Sequence, residues 1–100
     1  MSFRPVAKLA DLRAEKPVLV QTAGKEIALF SIEGKVYAID NLCCHRGAPL
    51  IDGDFTGELV TCPWHAWQFN VRTGACTTVP AARQTSYPVL VDGEDVAVEV

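Results

Sequence analysis

Short runs of aliphatic, β-branched and aromatic residues recur along this chain, and residues that favour turns separate them. Residues 27–32 and 36–39 flank the pair Glu33-Gly34, an arrangement typical of a tight β-hairpin. Residues 95–100 place valine at every second position, which predicts a strand with one buried face and one solvated face. Further strands are predicted at residues 18–22, 68–71 and 87–91, with turns at residues 23–25, 72–74 and 92–94.

Only residues 6–16 have the appearance of a helix, and that segment is short. The chain contains no internal repeat, linker or low-complexity tract. Short strands at regular intervals therefore predict an all-β fold, a sandwich or small barrel, whose loops carry the functional residues. At 100 residues, the chain is expected to form a single domain, residues 1–100.

Composition narrows the classes of function. Apolar residues make up 49% of the chain and charged residues 21%, which is ordinary for a globular domain. The formal net charge of −3, with nine basic residues scattered along the chain, argues against binding to nucleic acid. No apolar run of signal-peptide type follows the N-terminus and none is long enough to span a bilayer, so a soluble, cytoplasmic protein is expected.

Two short segments each combine cysteine with histidine. They are Cys43-Cys44-His45 and Cys62-Pro63-Trp64-His65. Sixteen residues separate His45 from Cys62, enough for the second turn to face the first. Thiolate ligands select zinc, copper(I) or iron–sulfur clusters. A structural zinc site is the simplest interpretation, yet zinc sites usually pair cysteine with cysteine and histidine with histidine, whereas each segment here mixes the two.

The order C-x-H and then C-x-x-H, with H-R-G-A-P-L at residues 45–50, closely resembles the signature of Rieske-type ferredoxins. The resemblance covers most of the chain and is closest to the electron carriers of bacterial aromatic-ring dioxygenase systems. It implies one [2Fe–2S] cluster. The ligands that it implies are Cys43 and Cys62 on one iron, and His45 and His65 on the other.

The resemblance also implies an architecture. It is a Rieske-type antiparallel β-sandwich or barrel that carries a small cluster-binding subdomain. Two loops, at residues 41–51 and 61–67, would form this subdomain, and a proline-containing loop at residues 78–83 would cover the cluster from the side.

The function that the resemblance implies is that of a soluble, monomeric one-electron carrier between a flavin-dependent ferredoxin reductase and a terminal non-haem iron oxygenase. The chain is not expected to be an enzyme, because both of its two histidines are assigned to the cluster and no 2-His-1-carboxylate iron site can be built. It also lacks the G-x-G-x-x-G motif of nicotinamide and flavin sites. Two alternatives stay open: the small Rieske subunit of an NAD(P)H nitrite reductase, and an interaction module stapled by zinc.

Residues near the ligands carry expectations of their own. Ala66 stands where the family most often has glycine, so a left-handed backbone there would be strained. Cys44 and Cys76 are surplus thiols, expected to be packed or idle. We expect the cluster tip to be ringed by Trp64, Pro49 and Leu50. We expect the core to contain Trp67 and Phe69.

The resemblance also predicts the reduction potential. In high-potential relatives a serine and a tyrosine hydroxyl donate hydrogen bonds to cluster sulfurs, and the matching positions here are Trp67 and Phe69, which have no hydroxyl. Because fewer such bonds leave the more negative, reduced cluster less stabilised, we expect a potential near the low end of the Rieske range, about −150 mV. Redox titration checks this value, and a midpoint potential well above zero would contradict it.

Overall fold

The computed structural model describes residues 3–12, 16–44, 47–64 and 66–100. Within these ranges the chain forms ten strands and two short 3₁₀ turns, at Leu9–Leu12 and Leu50–Asp52. The strands are β1 (Phe3–Lys8), β2 (Val18–Thr22), β3 (Lys25–Ile32), β4 (Lys35–Asp40), β5 (Asp54–Thr56), β6 (Leu59–Thr61), β7 (Gln68–Asn70), β8 (Ser86–Tyr87), β9 (Val89–Asp92) and β10 (Asp95–Glu99). The predicted all-β fold is confirmed. No helix in the described ranges is long and apolar enough to cross a membrane.

The strands form three antiparallel sheets. The central sheet has the order β2-β3-β4-β8, the terminal sheet has the order β1-β10-β9, and the small sheet has the order β5-β6-β7. Strand β3 is buried on both faces, which explains its uninterrupted apolar run. Ile27 and Leu29 face a core shared with the terminal sheet, whereas Ala28 and Phe30 face a core shared with the small sheet. The central sheet is therefore the middle layer of three.

Side chains on the small sheet and the central sheet meet across the second of these cores. The rings of Phe30 on β3 and Phe55 on β5 have centroids 4.8 Å apart. At the surface, the Arg72 guanidinium lies 5.7 Å from the centre of the Tyr37 ring and 3.1 Å from a carboxylate oxygen of Glu58. The hydrogen bond from Arg72 lowers the pKa of Glu58, but such exposed pairs contribute little stability. Apolar packing therefore does most to hold the small sheet in place.

Tight turns of the type that suits twisted hairpins join β2 to β3 and β3 to β4. In the turn between β3 and β4, Glu33 has φ 50° and Gly34 has φ 83°, and Ala23 and Gly24 between β2 and β3 have φ 52° and 74°. Positive φ at both positions marks type I′ turns, whose twist matches that of the flanking strands. The predicted hairpin at Glu33-Gly34 and the predicted turn at residues 23–25 are confirmed.

The N-terminal segment differs from its predicted helix. Residues 3–8 form strand β1, which pairs with β10, and a 3₁₀ turn follows at Leu9–Leu12. Residues 13–15 of the predicted helix lie outside the described residues. Pro5 fits because β1 is an edge strand, where a missing N–H breaks no ladder, and the register shifts between Pro5 and Ala7. The predicted strand at residues 87–91 is also divided, since Pro88 separates β8 from β9.

The small sheet brings two loops to one end of the molecule. Its register pairs Asp54 at the start of β5 with Thr61 at the end of β6, and Thr61 in turn with Gln68 at the start of β7. The segment that leads into β5 and the segment that connects β6 to β7 therefore lie at the same end of the small sheet. Both segments that combine cysteine and histidine lie in these two connections.

Candidate metal centre

The two cysteine segments are closed by the same pair of backbone hydrogen bonds. Cys43 N–H donates to the Ala48 carbonyl (2.8 Å), and Gly47 N–H donates back to the Cys43 carbonyl (2.7 Å). In the other segment Cys62 N–H donates to the Trp67 carbonyl (2.7 Å), and Ala66 N–H donates back to the Cys62 carbonyl (3.1 Å). We name residues 43–48 the first cysteine turn and residues 62–67 the second cysteine turn. One turn geometry has been built twice, each time beginning at a cysteine.

The fourth residue after each cysteine takes the left-handed conformation. Gly47 has φ 75° and Ala66 has φ 58°. A glycine meets this requirement without cost, whereas the Cβ of an alanine makes it unfavourable by about 1–2 kcal/mol. The strain expected at Ala66 is thus present, and the turn keeps its hydrogen bonds despite it.

The cysteines that begin the two turns are buried together. Cys43 is 3% exposed and Cys62 is 1% exposed, and both belong to the core between the small and central sheets. No disulfide joins any of the four cysteines, all of which the structure describes. Two buried thiols on matching turns provide soft donors in a site shielded from water, which is the environment that an iron–sulfur cluster requires.

The two predicted histidine ligands lie outside the described residues. His45 follows Cys43 by two positions and His65 follows Cys62 by three, so by sequence each belongs to one cysteine turn. Arg46 also lies outside the described residues. The structure therefore brings together the two predicted cysteine ligands, and the histidines stay a prediction.

The two surplus thiols have different surroundings. Cys76 is buried, and its Sγ accepts a hydrogen bond from Val79 N–H at 3.3 Å. Cys44 is exposed as a residue, but its thiol is partly covered, and this desolvation raises its pKa above the ordinary value. Cys43, by contrast, is buried beside Cys62 in one core, which supports Cys43 as the ligand in its segment.

A buried carboxamide, Asn41, closes the base of the first connection, by which we mean residues 41–53 between β4 and β5. Its Oδ1 accepts from Ile51 N–H at 2.9 Å, and its backbone carbonyl accepts from Leu50 N–H at 2.7 Å. On its other side Asn41 N–H donates to the Glu26 carbonyl at 2.9 Å. The two ends of residues 41–51 are thus held against each other and against β3. Sequence reasoning missed this role, because an asparagine after a strand is an ordinary turn residue.

A short loop containing Pro80 is fastened beside the second cysteine turn. Thr77 N–H donates to the Gln68 carbonyl at 2.8 Å, and Gln68 N–H donates to Thr78 Oγ1 at 3.0 Å. Within the loop, Ala82 N–H donates to the Val79 carbonyl at 2.9 Å. Because Gln68 directly follows the second cysteine turn, these bonds tie the loop to the strand that leaves that turn.

The surface next to the cysteine turns is partly apolar. Trp64 is 60% exposed, and it borders a depression that the carboxylate residues Asp52 and Asp54 also line. Pro49 is half-buried, but Leu50 has no exposed surface and belongs to the core, so the expectation that Leu50 rings the tip is wrong. The 3₁₀ turn that begins at Leu50 points this side chain inward.

The two residues that replace hydroxyl-bearing positions pack inward. Phe69 is fully buried, and Trp67 is half-buried against the same core, which agrees with the expectation for both. Their aromatic rings fill the space behind the second cysteine turn with apolar surface.

Replacing Ala66 by glycine tests the strain in the second cysteine turn. Relief of the left-handed alanine gains about 1–2 kcal/mol. Glycine adds freedom to the unfolded chain that returns about 0.5–1 kcal/mol. We therefore expect the free energy of unfolding of Ala66→Gly, measured by urea denaturation, to rise by about 0.5–1 kcal/mol.

Ala23→Gly is the matched control, because Ala23 is also left-handed but lies in the turn between β2 and β3. It should stabilise the protein by a similar amount. A decrease in stability for Ala66→Gly, with an increase for Ala23→Gly, would contradict the assignment of strain to Ala66.

Comparison with known proteins agrees with this geometry. The ferredoxin component of the naphthalene 1,2-dioxygenase system of Pseudomonas aeruginosa is 39% identical over 82 residues, which are 81% of this chain and 79% of that protein. The ferredoxin of carbazole 1,9a-dioxygenase from Nocardioides aromaticivorans IC177 shares the fold with a TM-score of 0.89 and 37% identity, over 98% of this chain and 97% of that one.

A further solved structure contains a partner. It is a complex of reduced oxygenase and oxidized ferredoxin in carbazole 1,9a-dioxygenase, with a TM-score of 0.87 and 26% identity over 96% of this chain and 91% of the matched one. The family described as the Rieske [2Fe-2S] domain matches residues 2–93, a range that includes both cysteine turns. This match confirms one [2Fe–2S] cluster as the cofactor and argues against the zinc alternative. The chain belongs to the Rieske [2Fe–2S] domain family.

Proposed function

We propose that this chain is a one-electron carrier that takes electrons from a flavin-dependent ferredoxin reductase and delivers them to a terminal non-haem iron oxygenase. The observation that carries the proposal is the pair of matching cysteine turns, which present two buried thiols at one end of the molecule beside an exposed tryptophan. The relatives named above, ferredoxin components of dioxygenase systems, favour this role over that of a nitrite reductase subunit.

The ligand set that we propose is Cys43 and Cys62 on one iron, and His45 and His65 on the other. Burial of the two thiols supports the first pair, and the position of one histidine in each cysteine turn supports the second. When bound, the cluster supplies reversible one-electron chemistry. The chain's part is to hold the ligands rigidly and to keep water from the cysteine side, so that little reorganisation accompanies the change of charge.

The proposed docking face surrounds Trp64. Its ring is mostly exposed, it directly precedes His65 in the sequence, and Asp52 and Asp54 lie at the border of the adjacent depression. An exposed aromatic residue beside acidic groups suits a transient partner that offers an apolar pocket with a basic rim. That a ferredoxin of this fold has been captured on its oxygenase supports direct contact between carrier and oxygenase here.

The chain works as a component of a larger system and is not itself a catalyst. Its two histidines are both used in the proposed ligand set, so the 2-His-1-carboxylate site of a non-haem oxygenase cannot be formed from this sequence. We also propose that it acts as a monomer in the cytoplasm, where a reducing environment keeps its cysteines as thiols.

Electron paramagnetic resonance of the dithionite-reduced protein, prepared without oxygen, tests the ligand set. The wild-type protein should give the rhombic signal with low average g that histidine ligation produces. Cys43→Ser should abolish this signal, because the serine hydroxyl is a hard and weakly acidic donor that replaces a thiolate. Iron content by chemical analysis checks the same loss.

Cys44→Ser is the matched control, since it makes the same atomic change one position away and should retain the signal. Loss of the signal in Cys44→Ser but not in Cys43→Ser would reverse the assignment. Colourless wild-type protein with stoichiometric zinc would remove the electron-transfer function altogether.

Trp64→Ala tests the docking face. The cluster spectrum should stay unchanged, while the KM for the carrier in oxygenase turnover rises by about tenfold, because a large exposed aromatic side chain is the typical energetic centre of such an interface. Steady-state turnover of a ring-hydroxylating oxygenase at varied carrier concentration measures this change.

Leu90→Ala is the control for loss of exposed apolar surface. Leu90 is 49% exposed, but it lies on β9 in the terminal sheet, on the other side of the central sheet. Its KM should equal that of the wild type. Equal KM values for Trp64→Ala and the wild type would place the docking face elsewhere.

A further inference from the structure

Gln84 is a buried polar residue that binds the first connection from outside it. Only 1% of the residue is exposed, although its side chain carries two donors and an acceptor. Its Nε2 donates to the carbonyls of Asp40 (2.7 Å) and Leu42 (2.6 Å), and its Oε1 accepts from Cys44 N–H (2.9 Å). The side chain therefore engages backbone groups at every second residue, as a neighbouring strand would.

The Gln84 side chain supplies hydrogen bonds to the segment after β4, beyond the point where pairing with β8 ends. Strand β8 pairs with β4 through Ser86 and Tyr87, and Asp40 N–H then donates to the Thr85 carbonyl at 2.9 Å. At Gln84 the backbone no longer pairs with β4, because its N–H donates to the Gly74 carbonyl. The side-chain carboxamide of Gln84 continues the pairing along residues 40–44 instead. Without it, the carbonyls of Asp40 and Leu42 and the N–H of Cys44 would lose these partners, and a partly buried polar group left unpaired costs stability.

The backbone of Gln84 is itself fixed. Its N–H donates to the Gly74 carbonyl at 2.7 Å, and its own carbonyl lies so close that a Cβ on Gly74 would be only 2.1 Å from the carbonyl oxygen. Gly74 also has φ 82°, so both the conformation and the close approach require glycine. The amide that reaches the first cysteine turn is thus anchored to the segment that follows β7.

The peptide that joins Cys43 to Cys44 is consequently held at both ends. Its carbonyl accepts from Gly47 N–H within the turn, and its N–H donates to Gln84 from outside the turn. In the second cysteine turn the corresponding residue is Pro63, which has no N–H to satisfy and whose ring fixes φ covalently. The same position is therefore rigid in both turns, by a ring in one and by an imported hydrogen-bond acceptor in the other.

We propose that Gln84 is a positioning residue for the cluster, which fixes the peptide between Cys43 and Cys44 and so orients the two ligands of the first cysteine turn. This inference rests on the proposed ligand set, because it assigns Gln84 an effect on Cys43 and His45. The side chain of Gln84 contacts the backbone of the first cysteine turn, and Gln84 is not a ligand of the cluster.

Gln84→Met tests the proposal, since methionine has a similar length and volume but neither donates nor accepts in the same way. In the electron paramagnetic resonance spectrum of the reduced protein, the g-values should shift relative to the wild type or the lines should broaden. The half-life of the cluster in the presence of an iron chelator should fall by about tenfold, the loss typical for removal of a group that orients a metal ligand.

Two control variants separate positioning from general stability. Gln21→Met makes the same substitution at an exposed residue of β2 and should retain both the g-values and the half-life. Tyr87→Phe removes the hydroxyl that donates to the Asp40 carboxylate but leaves the bonds of Gln84 intact. It should lower the unfolding midpoint while keeping the wild-type g-values.

The outcomes are distinct. Wild-type g-values and half-life in Gln84→Met would overturn the proposal, as would a shortened half-life with unchanged g-values, the pattern of lost stability alone. If Gln84→Met does not accumulate, Gln84→Asn replaces it, because the same carboxamide on a side chain one methylene shorter draws the acceptor away from Cys44 N–H. Its g-values should shift as well, and wild-type g-values in Gln84→Asn would overturn the proposal.

Failure of the ligand set is seen separately. A wild-type protein without the rhombic signal, or with a signal that survives Cys43→Ser, would remove the assignment on which the inference rests. A wild-type signal that depends on Cys43 but is indifferent to Gln84→Met would reject only the role of Gln84.

Discussion

The metal site depends on four backbone hydrogen bonds, two in each cysteine turn. They fix the direction of each cysteine before any metal is present, because a turn closed at both N–H and carbonyl leaves its first residue little conformational freedom. The small and central sheets bring these turns together and bury their cysteines. The register of the small sheet places both at one edge, and packing against the central sheet covers the two thiols.

The two cysteine turns have the same geometry, but different residues stabilise it in each turn. The left-handed position is occupied by glycine in the first cysteine turn and by alanine in the second, so the second is the more strained. The residue after the cysteine is proline in the second turn, whereas in the first it exposes an N–H that needs Gln84. The two turns therefore share a shape, but each is stabilised by different chemistry.

The parts of the structure that could be predicted are those encoded locally. The turns at Ala23-Gly24 and Glu33-Gly34 follow from a glycine between two apolar runs, since glycine takes positive φ freely, and the family and its cofactor follow from a short motif with fixed spacing. The histidine ligands of that motif stay predictions, since they lie outside the described residues.

The parts that sequence reasoning missed depend on partners far along the chain. Residues 6–16 have the appearance of a helix, yet pairing with β10 makes the first part of this segment, residues 6–8, the end of a strand. Strands β5 and β6 have three residues each, too few to show a period. The role of Gln84 could not be found either, because a single polar residue in a loop gives no sign that it will be buried against a segment 40 positions earlier.

That separation has a consequence for the order in which the protein is made. Both cysteine turns leave the ribosome before Gln84 does, and β1 waits for its pairing partner β10, which lies far later in the sequence. A nascent chain can therefore expose its cysteines while the acceptor for Cys44 N–H and one wall of the terminal core are still missing. Contacts of such long range are slow to form. Completion of the iron–sulfur site therefore follows the synthesis of Gln84 and β10, and iron delivered earlier would meet thiols whose positions are not yet fixed.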